Sequence, residues 1–211
     1  MIQIYYASTT IIKNINTEDL ISGLSSGAKS KMEGFKRIED KYLLLTSLFL
    51  LSKALIENGY DNYKLHDLEV TNFGRPFFPD SPFDFNISHT GDIASVVFSE
   101  NCRVGIDIER IRGVDLSDFR TMFSPEQWHK IDSSDHKYRT FYYYWTLLES
   151  AVKADGRGLS LVTSNKAVIL EDQILIDGKK WFFCHKNIDS TIVCCVTSDK
   201  ESEEIELRLI S

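Results

Sequence analysis

Three carboxylates are the first residues of this sequence whose types and spacing suggest chemistry. Asp107 and Glu109 alternate with apolar residues in the segment VGIDIER, so both point to one face if that segment is a strand. Glu149 follows in a segment with a helical pattern. Carboxylate oxygens without His or Cys suit Mg²⁺ or Mn²⁺ rather than zinc. The same pattern is also typical of a solvated strand edge, because acidic residues are mostly exposed.

A second group of residues offers donors for phosphate oxygens. Gly74 and Arg75 stand in the irregular segment GRPFFP. Ser88 and His89 stand in NISHTG, which is predicted to form a loop between short strands. Backbone N–H, hydroxyl and imidazole groups can all donate to phosphate. The alternative is an ordinary β-turn capped by Ser88, with His89 merely hydrogen-bonded, since hydroxyl residues are common in turns.

One further cation, Lys153, lies one helical turn after Glu149. Residues four apart share a helix face, so the two side chains can interact. Without context this is an ordinary surface ion pair, which stabilises a helix by about 0.3 to 0.5 kcal/mol. Beside a metal site, the same ammonium could meet phosphate charge.

The elements that must position these residues are helices and strand meanders in alternation. The helices are predicted at 17–33, 40–58, 114–132 and 138–155. The strands are predicted at 1–10, 65–71, 85–87, 93–98, 104–108, 166–171, 173–176, 180–186 and 191–197. Meanders favour an α+β fold of two similar halves over a parallel doubly wound sheet. We expect an N-terminal half over 1–105 and a C-terminal half over 106–211.

Composition and charge exclude several classes of function. The 211 residues carry 24 Lys and Arg against 31 Asp and Glu, a net charge of −7, so a nucleic-acid partner is not expected. The most apolar segment, 42–51, is half the ~20 residues needed to cross a bilayer. The four cysteines show no CxxC spacing, which argues against zinc and against a disulfide framework. We therefore expect a cytoplasmic monomer that does not bind membranes.

Taken together and in order, these motifs resemble the 4′-phosphopantetheinyl transferases. Four segments carry the resemblance, namely GRPFFP, FNISHTG, VGIDIER and WTLLESAVKADGRGLS. They are similar in particular to the larger members that activate peptide and polyketide synthetases, which are built as an intramolecular pseudo-dimer of two α/β halves. The resemblance covers roughly residues 25–165, and it is specific because four weak motifs occur jointly at the right spacing.

The resemblance implies a reaction and a set of site residues. The reaction moves the 4′-phosphopantetheine group of coenzyme A to a serine of an apo acyl or peptidyl carrier protein and releases adenosine 3′,5′-bisphosphate. The residues implied for Mg²⁺, or Mn²⁺ in its place, are Asp107, Glu109 and Glu149. The residues implied for coenzyme A are Gly74, Arg75, Ser88, His89 and Lys153. Glu149 is also implied as the group that activates the carrier serine, with Lys153 as the second catalytic residue.

Two features depart from the family pattern, and one of them is in the helix after the basic residues 29–41, where members tend to carry an Arg and this chain reads EDKYLL at 39–44. Members typically carry a Lys directly before the helix glutamate, whereas this chain has Leu148. We expect position 148 to be a flanking, partly exposed site, so that Leu148→Lys is neutral or raises the rate modestly. Two alternatives stay open. One is a diverged module that binds coenzyme A or a carrier protein without catalysis, and the other is an unrelated Mg²⁺-dependent phosphoryl-transfer enzyme or nuclease.

The carrier protein is expected to dock beside the Asp107 strand. The predicted surface combines cations with apolar anchors, and its residues are Arg110, Arg112, Arg120, Phe119, Met122 and Phe123. The alternative is that the three apolar residues simply fill the core, since large apolar side chains are usually buried.

Overall fold

The structure is a computed structural model that describes residues 1–158, 167–201 and 204–211, without the side chain of residue 31. The chain divides into two units, one comprising Met1–Asn101 with Glu203–Ser211 and the other comprising Cys102–Ser202. Each unit contains a β-sheet and a long α-helix, so the predicted α+β class is confirmed. None of the described helices is long and apolar enough to span a membrane.

The first unit is built on a four-stranded sheet. The strands of this unit, in the sheet and in a separate hairpin, are β1 (Ile2–Ser8), β2 (Glu69–Val70), β3 (Pro76–Phe77), β4 (Asp84–Thr90), β5 (Ile93–Ser99) and β11 (Ile205–Leu209). The order in the sheet is β11-β1-β5-β4, while β2 and β3 form a separate hairpin. Among the described strand pairs of this unit, β1 with β11 is parallel and the others are antiparallel. The helical segments are α1 (Thr17–Ser22), α2 (Ser26–Glu33), α3 (Ile38–Glu57) and 3₁₀ turns at Thr9–Asn14 and Leu65–Asp67.

Helix α3 provides much of the core of the first unit. Its first turn carries Glu39 and Asp40, whose charges suit the positive end of the helix dipole. Leu50 and Leu51 are fully buried against the sheet, and each such side chain stabilises the fold by about 1.5 to 3 kcal/mol. Just after the helix, Gly59 has a φ of +79°, a left-handed conformation that terminates helices and suits glycine.

The second unit is a five-stranded antiparallel sheet with a long helix packed on it. Its strands are β6 (Val104–Arg110), β7 (Ala167–Ile169), β8 (Gln173–Ile176), β9 (Lys179–Asp189) and β10 (Ile192–Ser198), in the order β6-β10-β9-β8-β7. Its helical segments are a 3₁₀ turn at Leu116–Phe119, α4 (Pro125–Asp132) and α5 (Lys137–Asp155). Helix α5 packs mainly on β6 and β10.

The C-terminal end of α5 is fixed by local contacts. Gly156, with a φ of +87°, donates its N–H to Val152 O at 2.9 Å and ends the helix. Arg103 Nε then donates to the terminal carbonyl of Ala154 at 2.7 Å. Because a helix C-terminus carries partial negative charge, this guanidinium both caps the helix and joins it to the chain just before β6.

Two predicted elements of the first unit are wrong. The predicted strand 65–71 is a 3₁₀ turn followed by the two-residue strand β2, because Asp67 Oδ2 accepts from Lys64 N at 3.3 Å and closes a tight turn. The SHTG segment does not form a loop. It continues β4 to Thr90, and the reversal occurs at Gly91, where φ is +57°.

The C-terminal segment also differs from the prediction. Residues of β11 pair with β1 in register from Ile2 with Ile205 to Tyr6 with Leu209, so they belong to the first unit rather than to a C-terminal half over 106–211. The sequence does carry a signal for this strand, because apolar and charged residues alternate from Ile205 to Leu209, but the prediction did not use it. The predicted strand 166–171 is present as β7, and residue 166 lies outside the described residues.

Candidate functional site

Strand β6 presents Asp107 and Glu109 on the face that meets α5. Asp107 pairs with Cys195 of β10, and Cys195 pairs with His185 of β9, so these three side chains form one row across the sheet. Glu109 starts the next row along the strand. Asp107 is only 4% exposed, whereas Glu109 is partly exposed, so exposure to solvent increases along β6 from Asp107 to Glu109.

Helix α5 brings Glu149 and Lys153 over this row. Lys153 Nζ donates to Asp107 Oδ1 at 2.6 Å, and the side chains are 29% and 6% exposed respectively. Lys153 therefore pairs across the helix–strand contact, with the buried carboxylate of β6. The charge of the same ammonium also acts on Glu149, one helical turn earlier.

The carboxyl group of Glu149 is strongly perturbed. Its pKa is raised to about 7, mainly by burial; the Lys153 ammonium lowers this pKa, and the negative charges of Asp107 and Glu109 raise it. The three carboxylates predicted from the sequence are therefore within electrostatic reach of one another. A carboxyl with a pKa near neutrality can both accept and release a proton at physiological pH.

The described residues fit a divalent cation in chemistry but do not surround one. In the part of the chain that the structure describes, no group of three His, Cys, Asp or Glu side chains is arranged to hold a metal ion. The donors are nevertheless all carboxylate oxygens, which Mg²⁺ prefers. The repulsion that raises the pKa of Glu149 is also what a bound dication would relieve. At Asp107, the Lys153 ammonium supplies the positive charge.

The expectation for position 148 is wrong. Leu148 is 2% exposed and belongs to the hydrophobic core of the second unit, together with Leu147 and Ala151. A lysine at this position would not be a flanking, solvated cation. Its charge would be desolvated within an apolar cluster, which is unfavourable.

Gly74 and Arg75 form the turn and the anchor of the β2–β3 hairpin. Gly74 has a φ of +86°, which an L side chain rarely adopts, and it donates to Thr71 O at 2.9 Å. Arg75 is buried. Its Nη2 donates to both carboxylate oxygens of Asp84, at 2.8 and 2.6 Å, and to Phe85 O at 3.0 Å. Arg75 thus ties the hairpin to β4.

Ser88 and His89 alternate along β4. Because successive strand residues point to opposite faces, Ser88 is buried at 4% exposure whereas His89 is exposed. The main-chain oxygen of Ser88 accepts from Ser95 Oγ at 3.1 Å on the neighbouring strand β5. The predicted turn capped by Ser88 is therefore replaced by regular strand pairing.

One of the three apolar residues of the predicted carrier-docking surface lies in the core. Phe123 is buried. The centroid of the Phe119 ring lies 4.9 Å from that of Phe141 and 5.1 Å from that of Trp145. Met122 is partly buried against the same cluster. The core alternative is therefore confirmed for Phe123, whereas Phe119 and Met122 are partly buried against that core.

Sequence reasoning missed the residues that hold α5 on the sheet. Ser150 Oγ and Thr197 Oγ1 lie 2.7 Å apart, and both side chains are fully buried. His185 stacks on the Tyr143 ring at 3.7 Å, and its Nε2 lies 3.0 Å from Tyr143 O. A glycine inside an apolar strand, Gly105, was the one available signal, since such glycines often mark close approach of another backbone.

Comparison with known proteins gives consistent matches. A family model described as the 4′-phosphopantetheinyl transferase superfamily matches residues 103–198. The chain is 30% identical over 158 residues to the 4′-phosphopantetheinyl transferase Sfp of Bacillus subtilis strain 168, covering 72% of this chain and 69% of that protein. It is 29% identical over 163 residues to the 4′-phosphopantetheinyl transferase ffp of Bacillus subtilis, covering 74% and 70%.

A relative from another organism gives a similar match. The chain is 29% identical over 157 residues to the L-aminoadipate-semialdehyde dehydrogenase-phosphopantetheinyl transferase of Schizosaccharomyces pombe, covering 65% of this chain and 60% of that protein. The matched family region contains β6, α5, β9 and β10, which are the elements that carry and support the carboxylates.

Proposed function

The chain belongs to the 4′-phosphopantetheinyl transferase superfamily, and on that premise we propose how its residues divide the work of the reaction. It is a 4′-phosphopantetheinyl transferase that uses coenzyme A and acts on carrier proteins. The proposal adds dependence on Mg²⁺, release of adenosine 3′,5′-bisphosphate and the roles of individual side chains. The observation that carries it is the partly buried Glu149 carboxyl, which lies within electrostatic reach of Asp107, Glu109 and Lys153.

The reaction is a substitution at phosphorus. The serine Oγ of the carrier forms a bond to the phosphorus that bears pantetheine, and the bond from that phosphorus to the bridging oxygen breaks. Adenosine 3′,5′-bisphosphate leaves with the bridging oxygen and its electron pair. A serine hydroxyl is a weak nucleophile at pH 7, so its proton needs an acceptor. Glu149 is the proposed acceptor, directly or through a water, as the family resemblance implies.

Asp107, Glu109 and Glu149 are the residues that would hold Mg²⁺. When bound, the ion would offset negative charge on the pyrophosphate oxygens. The protein contributes a rigid platform, because two of these carboxylates stand on a strand that is paired along its length with β10. Asp107 is buried and Glu149 is partly buried, which limits the access of bulk water to the reacting groups.

Lys153 is proposed to bind a phosphate oxygen of coenzyme A. Its side chain is 29% exposed, so a substrate can approach it while the ammonium contacts Asp107. A point charge of this kind is a common phosphate ligand. We expect Lys153→Met to weaken coenzyme A binding by about tenfold, since charge-assisted hydrogen bonds contribute about 1.5 to 3 kcal/mol.

Gly74, Arg75, Ser88 and His89 are proposed as further coenzyme A contacts, as the family resemblance implies. The cleanest test is His89, because it is exposed on β4. We expect His89→Ala to weaken coenzyme A binding by about tenfold, measured by isothermal titration calorimetry. The matched control is His66→Ala, which removes another exposed imidazole of the first unit and should leave affinity unchanged. Equal affinities for the two variants would restrict the role of His89 to the strand.

The activity itself is tested by intact mass spectrometry. The protein is incubated with coenzyme A, Mg²⁺ and a panel of apo acyl and peptidyl carrier proteins, and each carrier is examined for the mass of one phosphopantetheine group. We expect a single addition that is lost with EDTA and absent from a carrier whose acceptor serine is replaced by Ala. Glu149→Gln should lose turnover by at least about a hundredfold.

Two results would change the proposal. The matched control for Glu149 is Glu126→Gln, which replaces an exposed glutamate of α4 in the same unit and should keep full activity. Wild-type turnover in Glu149→Gln would remove Glu149 as the proton acceptor. Binding of coenzyme A without transfer to any carrier would favour the non-catalytic binding module.

A further inference from the structure

Helix α5 approaches strand β6 more closely than any side chain would permit. A Cβ built on Gly105 would overlap the main-chain oxygen of Ser150 and would lie 2.5 Å from Ala154 N. Gly105 is not one of the described glycines that have a positive φ. Glycine is therefore needed here for space rather than for backbone conformation, and the helix backbone rests directly on the strand backbone.

A buried hydrogen bond fixes the helix at the same place. Ser150 Oγ lies 2.7 Å from Thr197 Oγ1, and neither side chain is exposed. Thr197 is the β10 residue that pairs with Gly105. The contact with β6 and the hydrogen bond to β10 therefore fall on one row of the sheet, and together they set the height and the position of α5 along the strands.

The groups of the proposed site lie immediately beside this row. Asp107 follows Gly105 by two residues, about 7 Å along the strand. On the helix, Glu149 precedes Ser150 directly and Lys153 begins the next turn. The 2.6 Å contact between Lys153 Nζ and Asp107 Oδ1 spans helix and strand, so its length depends on how the helix is seated.

We propose that Gly105 and the Ser150–Thr197 hydrogen bond act as positioning residues for the proposed site. Their function is to hold Glu149 and Lys153 at a fixed distance from Asp107. The inference rests on the roles proposed above for those three residues. None of the positioning residues touches the reacting atoms. A displacement of about 1 Å in such a site can reduce a rate by about a hundredfold. Small changes at Gly105 or in the Ser150–Thr197 hydrogen bond should therefore lower the rate of transfer.

The principal test replaces Thr197. Thr197→Val removes the hydroxyl and keeps the shape, while Thr197→Ser keeps the hydroxyl and serves as the rescue variant. The matched control is Tyr5→Phe, which removes a fully buried and hydrogen-bonded hydroxyl from the first unit. We expect Thr197→Val to lower kcat by about tenfold with KM for coenzyme A within about twofold of wild type. Thr197→Ser and Tyr5→Phe should stay within about twofold for both constants, with folding verified by circular dichroism.

A second measurement does not depend on activity. The coupling between Lys153 and Asp107 is obtained from a double-mutant cycle, using Lys153→Met and Asp107→Asn in urea denaturation. We expect Thr197→Val to reduce this coupling by at least half and Tyr5→Phe to leave it intact. Gly105→Ala should reduce it further, and Thr197→Val keeps the test decisive if Gly105→Ala does not fold.

The outcomes separate the inference from the proposed function. A folded Thr197→Val with wild-type kcat and undiminished coupling would overturn the positioning role. If Thr197→Val loses the coupling between Lys153 and Asp107 but the wild-type protein transfers no phosphopantetheine, the positioning role is supported. The catalytic and binding roles proposed for Asp107, Glu149 and Lys153 are then contradicted. Equal losses in Thr197→Val and Tyr5→Phe would show a general effect of stability, which also overturns the inference.

Discussion

At the scale of single residues, the feature that distinguishes this molecule is the environment of Glu149. Burial is the main cause of its raised pKa of about 7, and the charges of Asp107 and Glu109 act in the same direction. Lys153 is the opposing charge. A carboxyl whose pKa is set by four causes of both signs can be shifted either way by a single substitution.

The first prediction concerns that pKa in the metal-free protein. Lys153→Met removes the cation that lowers it, so the pKa of Glu149 should rise above 7, whereas Asp107→Asn should lower it. The measurement is the pH dependence of the ¹³C shift of the side-chain carboxyl in the presence of EDTA. The control is Lys186→Met. Lys186 shares a row of the sheet with Ile108, and this row faces the opposite side of the sheet from Asp107, so the variant should leave the pKa of Glu149 unchanged. A shift of the same sign in both test variants would contradict the electrostatic explanation.

The second prediction concerns Leu148. Because this side chain is 2% exposed, Leu148→Lys should lower the free energy of unfolding by about 3 kcal/mol or more rather than improve catalysis. Leu148→Met conserves apolar volume and should change it by less than about 1.5 kcal/mol. Urea denaturation measures both variants. A lysine variant as stable as wild type would mean that position 148 reaches solvent.

At the scale of elements, α5 is held on the sheet at several points along its length. His185 contacts it near Tyr143, the Ser150–Thr197 hydrogen bond holds its centre, and Arg103 caps its C-terminus. Glu149 lies between the first two of these contacts. Helix propensity alone does not explain such an arrangement, because tertiary packing supplies most of the stability of a helix.

The third prediction is a pH dependence that originates at His185. Burial lowers its pKa from 6.5 to about 4, so the folded state holds the neutral imidazole. The stabilisation is complete above the unfolded pKa of 6.5 and is lost as pH falls from 6.5 towards 4, because the unfolded chain then binds the proton more readily. At pH 5 the loss should be about 1 to 2 kcal/mol. Urea denaturation of wild type and His185→Phe between pH 5 and 8 gives this difference.

The control for His185 is the exposed His129 of α4. His129→Gln should keep the wild-type pH dependence, whereas His185→Phe should flatten it. If His185→Phe loses the same stability at every pH, the contribution of His185 is its packing on Tyr143 and not its protonation state.

At the scale of the whole molecule, the chain leaves the first unit, forms the second and returns. In β11, Arg208 Nη1 donates to Glu57 Oε2 at 2.8 Å and to Tyr5 OH at 3.3 Å, so the returning strand joins the end of α3 to β1. Burial raises the pKa of the Tyr5 hydroxyl to about 12, and the Arg208 charge partly offsets that effect.

The fourth prediction concerns this returning strand. Deletion of residues 204–211 should expose one edge of β1 and remove the contacts of Arg208, so the amides of β1 should lose protection from hydrogen exchange. The amides of β6 and β10, which pair within the second unit, should keep their protection. Leu209→Ser is the control, since that side chain is 64% exposed. Uniform loss of protection in both units would contradict the prediction.

The sequence predicted the parts of the molecule that depend on local patterns. Alternation in VGIDIER identified β6, and helical periodicity with Gly156 identified α5, so the three carboxylates could be named in advance. It did not predict that Lys153 pairs with Asp107 or that Leu148 is buried. Those facts depend on which face of α5 meets the sheet, and that choice is made by contacts between residues far apart in the chain.

The pairing of β1 with β11 has a consequence for protein synthesis. Ile2 and Ile205 are partners in one sheet, although about two hundred residues separate them. At about 5 to 20 residues per second, a ribosome needs roughly 10 to 40 s between making the first strand and making its neighbour. The second unit is encoded entirely within that interval. On the nascent chain, one hydrogen-bonding edge of β1 is therefore left open for longer than most domains take to fold, and chaperones that cover strand edges would act there.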